Sequence, residues 1–183
     1  MTIRTLTAAA ACALGLLLVA PAQAGPAAKG APSKPGKSAK APVKGDAPAF
    51  EFTTLDGRTL KSEELYGTKG VVLAFWASWC GPCHLEAPIL NALHKAYQDR
   101  LTVIGVSVDD AHKGKAVARF AARHKLEYAV VHDTEGTTAD AFEVGLLPKL
   151  VVVDLEGNVA LVVNGALDEE KLRARVTQAL QLQ

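Results

Sequence analysis

Three cysteines, one methionine and only 5% aromatic residues leave this 183-residue chain little material for several kinds of chemistry. The methionine is Met1, so no thioether remains downstream to serve as an axial metal ligand. Three cysteines cannot supply two C-x-x-C pairs, which removes the four-thiolate zinc pattern. No acidic residue precedes Asp46. The apolar stretch Leu6–Ala20 is shorter than the roughly 20 residues a membrane-spanning helix needs. The basic charge lies in a tail without interleaved aromatics, which argues against nucleic-acid binding.

The formal charge of +1 therefore conceals a division of the chain. Six of the twenty basic residues lie before Asp46, leaving fourteen against nineteen acids beyond it, a formal −5. Arg4, the apolar stretch and the small residues Ala22-Gln23-Ala24 form the pattern of a secretory signal peptide over residues 1–24. If the segment stays uncleaved, it becomes an N-terminal membrane tether. Cys12 lies inside it and leaves with it. Residues 25–45 are Ala, Pro, Lys, Gly and Ser with no large apolar residue, so they read as a flexible basic linker. Residues 46–183, 138 in all, suffice for one domain with its own core.

Within that domain, Phe50 and Phe52 flank Glu51, and Asp56-Gly57 turns the chain into Arg58-Thr59-Leu60, a short hairpin. Ser62 reads as the cap of a brief helix. Val71–Trp76 is a run of six apolar residues that reads as a buried strand. A helix follows, with Leu85, Ile89, Ala92, Leu93, Ala96 and Tyr97 on its expected inner face, and Pro88 is expected to bend it. Leu101–Val108 and Tyr128–Val131 read as strands around a helix marked by Val117, Phe120, Ala121 and His124. A short helix over Thr138–Phe142, strands over Leu150–Val153 and Val159–Val163, and a last helix capped by Asp168 complete the pattern. Strands alternating with helices and ending in a hairpin imply an α/β domain with a mixed sheet.

The chemistry concentrates at Trp79-Cys80-Gly81-Pro82-Cys83, directly after the buried strand. A sulfur at a helix N-terminus meets unpaired N–H groups and the positive end of the macrodipole, which favour its thiolate. Such a thiolate attacks disulfides, and a second thiol one turn away releases the mixed disulfide. A bridge across two residues constrains the unfolded chain little, so its use is catalytic rather than structural.

Together with these residues, two further stretches carry a family resemblance. Glu86 then Pro88 fit an E-x-P pattern, and Gly145-Leu146-Leu147-Pro148 precedes Val151-Val152-Val153-Asp154. Over residues 46–183 the chain resembles thioredoxin-fold exported thiol-disulfide oxidoreductases of the TlpA/ResA group, relatives of the CcmG/DsbE reductases of cytochrome c maturation. The resemblance implies a mixed central sheet flanked by helices, with the hairpin as an N-terminal extension. It implies that Cys80 is the exposed nucleophile and Cys83 the buried resolving thiol. It also implies that Pro148 is cis and that the Leu147 backbone meets a bound partner strand. Trp76, Trp79, Gly81, Pro82 and Leu147 are then expected to shape the substrate groove. No cofactor beyond the Cys80–Cys83 pair is expected. The partners implied are exported proteins bearing disulfides and an upstream thiol donor, in a periplasmic setting.

Two departures stand out. The buried acid of cytoplasmic thioredoxins falls at Ala74, which leaves Glu86 as the candidate proton carrier for Cys83. Glu86 is equally readable as a first-turn acid complementing the helix dipole. Leu147 and Lys149 replace residues common in relatives at positions expected to border the groove.

Other readings compete. Cys80–His84 spells C-x-x-C-H, the c-type haem attachment pattern. Against it, the motif contains a proline and follows a buried strand. A thiol peroxidase of the peroxiredoxin type would carry Pro and Thr or Ser before its cysteine, where this chain has Ala77-Ser78-Trp79. A non-catalytic binding module has no need of two reactive thiols. The histidines lack a metal-ligand spacing, and His84 reads either as solvent-facing or as a neighbour of the helix dipole that tunes the potential of the cysteine pair. Asp109-Asp110 reads as a solvated acid pair.

Overall fold

Seven consecutive residues of β3, Gly70–Trp76, are buried, because this strand lies at the centre of a sheet covered on both faces. The computed structural model describes residues 46–182, so the signal-peptide and linker readings lie outside the described residues. The five-stranded sheet has the order β5-β4-β3-β6-β7. β4 (Leu101–Ser107) and β5 (Ala129–His132) run parallel to β3. β6 (Lys149–Val153) and β7 (Val159–Asn164) form the antiparallel hairpin, with β6 against β3. A separate hairpin, β1 (Glu51–Thr53) with β2 (Thr59–Lys61), reaches β5 through a Thr54–Val131 bridge.

Alternation along β3 assigns its side chains to two cores. Val72, Ala74 and Trp76 share one with Leu90 and Leu93 of α2 (Gly81–Tyr97), Phe120 of α3 (Gly114–Arg123), and Leu172 and Val176 of α5 (Glu169–Ala179). Val71, Leu73 and Phe75 share the other with Phe50, Phe52 and Phe142, the last just beyond α4 (Thr137–Ala141). Asp168 caps α5 as expected, accepting from the Lys171 N–H at 2.9 Å.

Two local expectations are corrected. The inner face of α2 is Cys83, Glu86, Ala87, Leu90 and Leu93, while Leu85 is 72% exposed. A buried glutamate broke the apolar stripe and turned the expected face away from the true one. Ser62 is the first residue of the brief helix α1 (Ser62–Leu65) rather than its cap, and its Oγ accepts from the Phe50 N–H at 3.1 Å. Pro88 lies inside α2, which runs unbroken, with Pro88 on its exposed side.

Candidate active site

Strand β3 delivers the chain to the end of the sheet, and α2 begins there with Cys80 as its N-cap. Cys80 Sγ accepts from the Cys83 N–H at 3.3 Å, so one sulfur satisfies an otherwise orphaned helix donor. The two cysteines form a disulfide. Neither is open: Cys80 is 5% exposed and Cys83 2%, which corrects the expectation of an exposed Cys80. What separates them is the space each borders. Cys80 lines an open groove of about 510 Å³ with Trp79, Pro82, Val108, Leu146 and Leu147. Cys83 lines a cavity of about 10 Å³ with Ala74, Trp76, Glu86, Tyr128 and Pro148.

Gly81, Pro82, Trp79 and Leu147 border this groove, and Trp79 is 72% exposed. Trp76 does not. Strand alternation sends it to the face of Val72 and Ala74, where it stacks on Phe120 with ring centroids 4.0 Å apart. The expected contribution of Trp76 to the groove is therefore corrected: it is a wall of the inner cavity. Lys149 is corrected as well. It pairs with Phe75 and turns to the opposite core, where Nζ donates to the Phe142 and Glu143 carbonyls at 2.7 and 2.8 Å. The Leu147–Pro148 peptide is cis.

Glu86 is buried, with Oε2 lacking a hydrogen-bond partner. Burial pushes its carboxyl up to about 7. It reaches the cavity from α2, and Ala74 lines the same space from β3. Burial also raises the Tyr128 hydroxyl, and the Glu86 carboxylate raises it further.

Sequence reasoning missed the bonding around Ser78. Asp109 is 2% exposed rather than solvated. Its carboxylate accepts from the Ser78 N–H at 2.7 Å, the Ser78 hydroxyl at 2.6 Å and the Ser107 hydroxyl at 2.8 Å. His132 Nε2 donates to the Asp109 carbonyl at 2.8 Å. The available signal was an acid just past the end of β4, beside the strand that leads into C-x-x-C. His84, expected to face solvent, packs on Phe120 and has both ring nitrogens engaged. Among the described residues no cluster of three or more His, Cys, Asp or Glu could hold a metal ion. Among them, too, no helix is long and apolar enough to cross a membrane.

Comparison with known proteins agrees with this geometry. The AhpC/TSA family matches residues 43–162. The thiol-disulfide oxidoreductase ResA of Geobacillus thermodenitrificans is 33% identical over 69% of this chain and 72% of its own. The thioredoxin-like protein YneN of Bacillus subtilis is 32% identical over 71% of this chain and 76% of its own. A solved structure of a putative thiol:disulfide interchange protein DsbE from Chlorobium tepidum superposes with a TM-score of 0.66 and 33% identity. That match covers 74% of this chain and 96% of the other. With a thioredoxin fold and a C-x-x-C disulfide at the start of its central helix, the chain belongs to the AhpC/TSA family as one of its ResA-like thiol-disulfide oxidoreductases.

Proposed function

We propose that the protein is an exported reductant of disulfides in partner proteins, with Cys80 as nucleophile and Cys83 as resolving thiol. The observation that carries the assignment of roles is the unequal setting of the two sulfurs: Cys80 borders the wide groove, Cys83 the far smaller cavity beside Glu86. In the reduced protein, the Cys80 thiolate attacks one sulfur of a partner disulfide and expels the other as a thiolate. The Cys83 thiolate then attacks Cys80 Sγ, expelling the second partner thiolate and closing the Cys80–Cys83 bond. Two electrons pass to the partner, whose two thiolates take up protons. An upstream thiol donor restores the dithiol. Leu147, preceding cis Pro148, offers backbone to the partner segment, and Trp79, Gly81 and Pro82 frame its approach. The reducing direction rests on the Gly-Pro dipeptide between the cysteines, and export rests on the signal-peptide pattern of residues 1–24.

Glu86, poised near neutral pH, is the group suited to take the Cys83 proton as resolution begins. Glu86→Gln should slow exchange and shift the pH dependence of Cys83 reactivity. An unaltered pH–rate profile would leave it no part in proton transfer. Cys80→Ser should abolish turnover, and Cys83→Ser should accumulate mixed disulfides. The deciding experiment is acid-quench thiol trapping in cells expressing the full chain. A mostly reduced Cys80–Cys83 pair supports a reductant kept charged by a donor. A mostly oxidised pair removes the reductive assignment.

A further inference from the structure

The C-x-x-C-H histidine has a more specific setting than a helix surface. His84 Nε2 lies 3.2 Å from the Ser78 carbonyl, and His84 Nδ1 lies 2.6 Å from His124 Nε2, at the end of α3. A carbonyl only accepts, so His84 Nε2 carries the hydrogen. In a neutral imidazole Nδ1 is then bare, and His124 Nε2–H donates to it. The tautomers of both rings follow from one backbone oxygen. That oxygen belongs to Ser78, whose N–H and hydroxyl are held by Asp109. Every polar group of the residue two positions before Cys80 is thus held, by His84 on one side and Asp109 on the other.

We infer that His84 and His124 form a shared-proton pair that positions the Cys80 segment through Ser78 and couples Cys80 reactivity to pH. Both rings pack on Phe120, which fixes their approach. The Nδ1–Nε2 contact has room for one added proton between the rings. When His84 Nδ1 is protonated it becomes the donor, and His124 turns acceptor by carrying its hydrogen on Nδ1. A second proton would set two N–H groups against each other. Desolvation, then His84, then Arg123 lower the proton affinity of His124. The charged and titratable groups around the pair are Arg123 beside it on α3, Asp109 across Ser78, and Glu86 and Tyr128 in the cavity behind Phe120. From α2, Asn91 donates to the His124 carbonyl at 3.3 Å and so holds its backbone.

The consequence for the dithiol follows by linkage. One added positive charge on the first turn of α2 favours the Cys80 thiolate, and the thiolate in turn favours the protonated pair. His84 is accordingly a positioning residue rather than a catalytic one. This inference rests on the reading of Cys80 as the attacking thiol.

The test is the alkylation rate of Cys80 in the reduced full-length protein, using iodoacetamide from pH 5 to 9. Wild type is compared with His84→Gln, which keeps an N–H donor for Ser78 but cannot titrate, and with His124→Asn. Normalised at the alkaline end, wild type should react about 5-fold faster than either variant near pH 5.5, from one unit charge at partly screened range. Superimposable normalised profiles would overturn the inference. A measurement independent of the variants is the NMR titration of the two imidazoles in wild type. Uptake of one proton between them as a coupled unit supports the pair, and two independent full titrations refute it. If the alkylation profile has the expected form while insulin disulfides go unreduced at every pH, the pair stands and the reductase reading fails.

Discussion

Burying Glu86 has a cost that depends on pH, and the sign of the dependence can be worked out. Its folded-state pKa is raised from 4.5 to about 7. Below pH 4.5 the carboxyl is protonated in both folded and unfolded chains, and its contribution to stability is complete. Between pH 4.5 and 7 the unfolded chain has released the proton and the folded chain has kept it, so stability falls as pH rises. Above 7 both are ionised and the loss levels off, at about 3 kcal/mol by the usual conversion. Denaturant titrations of the oxidised protein at several pH values should show this decline, and Glu86→Gln should remove most of it. A variant that retained the full slope would place its origin elsewhere. A second residue prediction concerns Gly105, opposite Ala74 on β4. A Cβ there would meet Trp76 Nε1 and Tyr128 Cε2, each at 2.9 Å. Both rings are buried, so Gly105→Ala should destabilise by about 1–3 kcal/mol through overpacking. Thermal unfolding would measure it.

At the scale of elements, Lys149 links β6 to α4. Its ammonium binds the carbonyls of Phe142 and Glu143, where the chain leaves α4, and Val144–Leu147 then runs from those carbonyls along the groove. Lys149→Met keeps the apolar stem but leaves both carbonyls without this donor, at a cost of about 1–3 kcal/mol. Because the loosened segment forms the groove wall, KM for a protein disulfide should rise more than kcat falls. Equal effects on both would mean that the segment holds its shape without the lysine. This link also shows where sequence reading stopped. Strands β3, β4 and β6 were legible because long apolar runs flanked by turn residues leave few alternatives, and C-x-x-C at the β3–α2 junction identified the reactive sulfurs. The inner face of α2 was misread because its true stripe contains Glu86. Trp76 and Lys149 were placed at the groove by the family resemblance, whereas strand alternation turns each into a core. The Ser78–Asp109 contact spans 31 positions and has no local signature.

For the whole molecule, the main consequence of the site's placement is that redox change and global architecture are nearly separable. The disulfide joins residues three apart, so reducing it frees almost no chain in the unfolded state. The two cores on either side of the sheet draw on residues from Ala47 to Leu182, and only one includes the cysteines. The surface exposed on unfolding is therefore nearly the same for both redox forms, and so should be the urea m-value. The midpoint will differ, since folding shifts the relative free energies of dithiol and disulfide and that shift appears in unfolding by linkage. Parallel urea titrations of oxidised and reduced protein should thus give transitions displaced along the denaturant axis with matching slopes. A clearly smaller slope for the reduced form would mean that reduction loosens the native α2 N-terminus well beyond the two sulfurs. The clamp on Ser78 would then be too weak to hold the Cys80 segment without the disulfide.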